Sequence, residues 1–144
     1  MPVYLDTSAL LKRYLPERKS DIFESYFRDV ESAQISRLTL VELRSALARK
    51  RREGRFDTAK EAEALNEIST DIQDGLLTVC PASDLHFVAA FHLMGKLTEL
   101  PLRTLDALHL ATAQTLETDT LATADDVMRR AAEALGLTVV YFGD

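Results

Sequence analysis

The chain has 144 residues, 47% of them hydrophobic, so the expectation is one compact domain over residues 1–144 with a sizeable core. A formal net charge of −6 argues against a protein that coats nucleic acid through its overall field, since such binding is driven by phosphate neutralisation, but it permits a local basic face. One cysteine, Cys80, excludes an internal disulfide and a thiolate cluster. No basic segment followed by a long apolar one opens the chain, and no stretch reaches membrane-spanning length, so the expectation is a soluble, cytoplasmic protein.

Val3, Tyr4 and Leu5 read as a buried strand, and Ala9, Leu10, Leu11, Tyr14 and Leu15 recur at helical spacing until Pro16 interrupts them. Asp6 therefore stands at the C-terminal end of a strand, the edge at which open α/β sheets bind ligands. Capping of the helix by Asp6 or Thr7, worth about 1 kcal/mol, explains the same residues equally well. Ile22, Phe23, Tyr26, Phe27 and Val30 form the stripe of a second helix starting at Ser20 or Asp21, expected to pack on the sheet.

AQIS at residues 33–36 gives a second strand, followed from Leu38 by a helix through Leu40, Val41, Leu43, Ala46 and Leu47. Glu42 lies in its first turn, where Thr39 three residues earlier fits a capping box. Arg44, Arg49, Lys50, Arg51, Arg52 and Arg55 follow, the one dense basic cluster in an acidic chain. Cations at a helix C-terminus complement its dipole. Following Glu42 along one helix, they are also candidates to hold a phosphate backbone.

Gly54 separates this helix from a longer one over residues 57–74, with Ala59, Ala62, Leu65, Ile68 and Ile72 inward and charges outward. Gly75 closes it, and LLTVC forms a third strand ended by Pro81. Ser83 and Asp84 introduce a helix carrying Leu85, Phe87, Val88, Ala90, Phe91 and Met94. Its His86 and His92 point to different faces, against a zinc pair.

After Pro101, Leu102, Leu105, Ala107, Leu108, Leu110, Ala111 and Ala113 cover nearly the whole circumference of a helix, which is expected to be buried. Asp106 in its first turn gains from the dipole, but a buried carboxylate calls for a cation or several donors beside it. His109, one turn on, is read first as a hydrogen-bonded core residue and second as a partner of the acid. TLATADD makes a fourth strand and a helix start, with Asp125 repeating the placement of Asp6 and a Thr123–Asp126 capping pair as the local alternative. LTVVYF supplies a final strand after Gly136.

Alternating strands and helices imply a parallel sheet whose carboxyl edge gathers Asp6, Glu42, Asp106 and Asp125 onto one rim. Two carboxylates about 5 Å apart repel by about 3 kcal/mol at an effective dielectric of 20. Either some are protonated or a divalent cation joins them, and oxygen donors point to Mg²⁺ or Mn²⁺ rather than zinc. Such a site suits phosphoryl chemistry by metal-activated water.

LDTSALLK at Asp6, TLVELRSAL at Glu42, TLDALHLA at Asp106 and TADD at Asp125, in that order across the whole chain, resemble the PIN domain, and in particular the VapC ribonuclease toxins of bacterial toxin–antitoxin pairs. The resemblance implies an α/β three-layer fold, its central, mostly parallel sheet of about four or five strands flanked by helices. It implies a Mg²⁺-dependent endoribonuclease, Mn²⁺ being the alternative ion, with Asp6, Glu42, Asp106 and Asp125 as catalytic and metal-binding acids. Thr7, Ser8 and Thr123 would be supporting hydroxyls, and the T-x-D spacing favours Asp125 over Asp126. Arg44, Arg49, Lys50 and Arg52 are the candidate RNA-binding residues.

Similar proteins form homodimers and are inhibited by a small VapB-like antitoxin lying across the early helices, where Tyr14, Tyr26 and Phe27 would offer a groove. The alternatives are a housekeeping PIN-domain nuclease without an antitoxin and a non-cleaving PIN-like interaction module. A haloacid-dehalogenase-like phosphatase wants an aspartate where Ser8 stands, and a receiver domain wants a lysine after LTVVYF; both fit poorly.

Overall fold

A computed structural model describes residues 2–144. Five strands, β1 (Val3–Leu5), β2 (Ala33–Ser36), β3 (Leu77–Cys80), β4 (Thr120–Thr123) and β5 (Thr138–Tyr141), pair in the order β3-β2-β1-β4-β5. Every pairing is parallel. Seven helices connect them: α1 (Thr7–Tyr14), α2 (Ser20–Arg28), α3 (Arg37–Arg52), α4 (Thr58–Gln73), α5 (Asp84–Lys96), α6 (Thr104–Thr115) and α7 (Asp126–Ala134). The expected four or five mostly parallel strands are thus five, all parallel.

Strand alternation divides the core into two halves, one on each face of the sheet. Val3 and Leu5 of β1, Ala33 and Ile35 of β2 and Leu77 of β3 pack with Leu10, Phe23, Leu43, Leu47 and Ile68 from α1 to α4. Tyr4 and Leu121 turn the other way and pack with Ala90, Leu93, Leu110 and Ala132 from α5 to α7. The chain reverses its direction of sheet growth between β1 and β4, register Val3 opposite Thr120 and Leu5 opposite Ala122. At such a switch point the connections leave in opposite directions and open a crevice at the carboxyl edge.

Three expectations change. In α4 the inward face is rotated: Ala59 and Ala62 are exposed, while Ala64, Ile68 and Asp71 are buried. Asp71 tolerates burial because it accepts from Arg13 Nε at 2.8 Å, Arg13 Nη2 at 3.1 Å and the Tyr14 hydroxyl at 2.6 Å, as a buried charge requires. Tyr14 and Phe27 lie in the core and Tyr26 packs on the Phe142 ring at 5.5 Å, so little of these three rings is offered to a partner, although Tyr14 and Phe27 each reach the lining of a surface cavity. Large apolar side chains are exposed on α5, where Leu85, Phe87, Val88, Phe91 and Met94 face outward, and singly at Ile22, which was expected to pack on the sheet, at Val41 and Leu76, and at Leu105 of the mostly buried α6. No described helix is long and apolar enough to cross a membrane.

Candidate active site at the carboxyl edge of the sheet

Asp6 follows β1 directly and is the N-cap of α1, in extended backbone with φ −82° and ψ 170°. Its Oδ1 accepts from the Ala9 N–H at 3.0 Å and the Ser8 hydroxyl at 2.7 Å, and its Oδ2 from the Thr123 hydroxyl at 2.6 Å. The carboxylate is 4% exposed. Burial pushes its pKa upward, and the hydrogen bond from Thr123 is the largest of the effects opposing this. Ser8 in turn accepts from the Ala124 N–H at 2.9 Å, stitching the ends of β1 and β4 together.

Glu42 takes no part in capping α3, the local alternative that its spacing from Thr39 offered. The N-cap of α3 is Ser36, whose hydroxyl accepts from Leu38 N–H at 3.0 Å, while the Thr39 hydroxyl accepts from Ser36 N–H at 3.1 Å. Helix α3 therefore begins straight from β2, and Glu42 is a turn further in. Its Oε1 accepts from the Thr7 hydroxyl at 2.6 Å and meets His109 Nε2 at 2.5 Å. Burial alone would raise its pKa, but the hydrogen bonds from His109 and the Thr7 hydroxyl together hold it below the usual range.

Asp106 in the first turn of α6 is half-buried, with one long hydrogen bond, from Arg103 N–H to Oδ2 at 3.3 Å. The expected cation or set of donors is reduced here to that one bond: among the described residues Asp106 forms no salt bridge. Burial raises its pKa, and the charge of Asp125 adds to the rise. Asp125, not Thr123, caps α7, its Oδ1 accepting from Met128 N–H at 3.0 Å. Thr123 is turned inward onto Asp6, and its Oγ1 accepts from Asp125 N–H at 3.0 Å. Asp126 is exposed and pairs with Arg129.

All four acids line one cavity of about 400 Å³, together with Thr7, Ser8, Leu11, Ser45, Ala46, Arg49, Leu105 and His109. Thr123 lies beneath it, through Asp6. The basic cluster of α3 splits. Arg49 lines this cavity, Lys50 lines another with Arg55, Phe56 and Lys60, and Arg51 is paired with Glu61 at 2.8 Å. Arg44 and Arg52 are exposed and line neither.

Among the described residues no three His, Cys, Asp or Glu side chains already stand as a formed metal centre. The donors nevertheless suit a hard cation. Glu42, Asp106 and Asp125 each commit one oxygen to their hydrogen bonds and keep the other open. The residues that sequence reasoning underweighted are His109, preferred as a core residue, and Tyr4, whose hydroxyl lies 2.6 Å from His109 Nδ1. The available signal was the position of His109 one turn beyond Asp106, on the face that lines the cavity.

Fold and site define the class as a doubly wound α/β protein with an anionic cavity at its topological switch point, built from both helical layers. The family model described as PIN domain matches residues 3–134, and the chain belongs to that family. It is 34% identical over 140 residues to Ribonuclease VapC46 of Mycobacterium tuberculosis, covering 96% of this chain and 95% of the relative. Among solved structures it is similar to M. tuberculosis VapC20, described as a sarcin-ricin loop cleaving toxin, with TM-score 0.72 and 14% identity over 90% of this chain and 94% of the other. VapBC2 from Rickettsia felis, bound to a promoter DNA fragment, gives TM-score 0.66 and 19% identity over 99% of both chains.

Proposed function

We propose that this chain is a divalent-metal-dependent endoribonuclease of the VapC type, the toxin of a toxin–antitoxin pair. The observation that carries the reading is the gathering of Asp6, Glu42, Asp106 and Asp125 from four separate elements around one cavity, with Arg49 beside them. The ribonuclease name of the relative and the VapBC assembly among the similar structures support the substrate and the antitoxin partner.

Glu42, Asp106 and Asp125 would hold the ion, Mg²⁺ or Mn²⁺, through the oxygen each leaves free of hydrogen bonds, and Asp6 through the remaining lone pair of Oδ2, which accepts only from Thr123. When bound, it would supply Lewis-acid activation of water and neutralise charge developing at the phosphodiester. The chain's own residues do the positioning. Ser8 and Thr123 fix Asp6, Thr7 and His109 fix Glu42, and the N-terminal turns of α6 and α7 hold Asp106 and Asp125 at the rim. Arg49 offers a cation to the RNA backbone. The reading has the protein acting in the cytoplasm.

A homodimer is part of this reading. The exposed apolar face of α5 is the kind of surface that marks an interaction site. Its ends carry Asp84 and Lys96, which would meet each other's counterparts in an antiparallel two-fold pairing.

The test is cleavage of synthetic RNA and total RNA by the purified chain with Mg²⁺, with Mn²⁺ and with EDTA. Cleavage is expected with either ion and is lost in EDTA and in Asp6→Asn and Asp106→Asn. Full activity in EDTA, or in either variant, would overturn it.

A further inference from the structure

Glu42 stands on α3, packed against one face of the sheet, and His109 on α6, packed against the other, yet their side chains meet at 2.5 Å across the rim. His109 is 3% exposed. An ionised carboxylate only accepts hydrogen bonds, so this short contact requires the proton on Nε2. Nδ1 lies 2.6 Å from the hydroxyl of Tyr4 on β1. Burial keeps that phenol protonated far above its ordinary range, so it has a hydrogen to donate.

We infer that Tyr4 and His109 are positioning residues, forming a hydrogen-bonded rod from β1 through α6 to α3. The Tyr4 hydroxyl donates to Nδ1, Nε2–H donates to Glu42 Oε1, and Oε2 is left for a ligand. The inference rests on Glu42 belonging to the acidic centre. Its physical content is rotational: the terminal torsion of a glutamate is broad and two-fold, so an unrestrained carboxylate would exchange its oxygens freely. Thr7 donates at 2.6 Å to the same oxygen that His109 holds, and two donors on one oxygen remove that freedom. Groups that orient a ligating side chain in this way typically contribute about 10–100-fold to metal affinity. A histidine that merely filled the core would need no partner in the cavity, whereas this one lines it.

Two measurements test this. In the metal-free protein, ¹⁵N NMR of His109 is expected to show a protonated Nε2 and an unprotonated Nδ1, and Tyr4→Phe to mix the tautomers. Protonation at Nδ1 in the wild type would overturn the rod. Calorimetric titration with Mn²⁺ is expected to show about 10–100-fold weaker binding in His109→Leu. His109→Gln, which keeps a donor near the Nε2 position, should recover most of the affinity. Wild-type affinity in folded His109→Leu would equally overturn the inference. If the wild-type chain binds no Mn²⁺ at all, it is the metal-centre reading that fails, and the tautomer still decides whether the rod exists.

Discussion

Arg44 and Arg49 carry the same charge on the same helix, and both are exposed, so they separate a local contact from a general field. At about 100° per residue, Arg49 lies within about 20° of Glu42 around the axis of α3, two turns or about 10 Å along it. Arg44 lies about 200° away. Only Arg49 lines the acidic cavity. A charge-assisted hydrogen bond to a phosphate is worth about 1.5–3 kcal/mol, so Arg49→Ala is expected to lower kcat/KM for a short RNA about 10- to 100-fold. For a single strand, each phosphate that is no longer neutralised also reduces the slope of log binding constant against log salt by about 0.7. Arg44→Ala is expected to change either quantity less than twofold. The assay is cleavage and binding of a fluorescent oligonucleotide between 50 and 200 mM salt (about the range over which such slopes are read), with thermal melts confirming that both variants fold. Equal losses from the two variants would mean that the cluster acts through net charge, and that lining the cavity confers nothing.

Asp71→Leu leaves three donors of Arg13 and Tyr14 without their acceptor and is expected to cost about 3–5 kcal/mol. The loss is read as a lower urea midpoint at unchanged slope; Arg13→Met in the same chain should restore most of it, whereas a loss under about 1 kcal/mol would make the network no better than a surface pair. The acids set opposing pH effects in the metal-free protein. Asp6 and Asp106, whose folded pKa values are raised, contribute stability that is present below their ordinary 3.8 and is lost as pH rises through the raised values. Glu42, lowered, contributes stability that is present above 4.5 and is lost as pH falls through its folded value. Asp106→Asn should therefore raise the melting temperature at pH 7 more than at pH 4, and an equal shift at both would show that its charge is not the cause. Phe91, 75% exposed on α5, is expected to matter for assembly and little for the fold. Phe91→Glu should convert a dimer to a monomer by light scattering while the melt is kept, and an unchanged mass would remove α5 from the interface.

Much of the fold was legible because short apolar runs between helical stripes leave few arrangements for a parallel sheet. The placement of Asp6 and Asp125 at the carboxyl edge was legible for the same reason, since Asp6 directly follows β1 and Asp125 follows β4 after one intervening residue, Ala124. What periodicity could not supply was the identity of partners distant in sequence. His109 registers as one more buried position until the fold brings Glu42, 67 residues away, to its Nε2. Asp71 registers as a surface charge until α1 presents Arg13 and Tyr14. Helix α5 carries the aromatic and aliphatic spacing of a core helix, yet its apolar side is exposed, because hydrophobicity alone does not distinguish a core from an interface. The start of α3 is one residue earlier than Leu38, and its cap is Ser36 rather than Thr39, both of which have capping side chains. The helix takes the earlier because β2 runs into it without a loop.

Capping and chemistry, which compete as explanations in the sequence, are complementary in the fold. An N-cap residue keeps extended backbone and directs its side chain at the first turn, so a carboxylate that caps a helix right after a parallel strand is held at the rim by the backbone itself. Asp125 spends one oxygen on Met128 N–H and keeps the other open. The two roles should therefore separate by substitution. Asp125→Ser retains a capping oxygen without the charge, and is expected to melt within about 0.5 kcal/mol of the wild type while losing RNA cleavage. Asp125→Ala should lose cleavage and also about 1 kcal/mol of stability. Cleavage surviving in the serine variant would leave Asp125 as a cap alone and reduce the acidic centre to Asp6, Glu42 and Asp106.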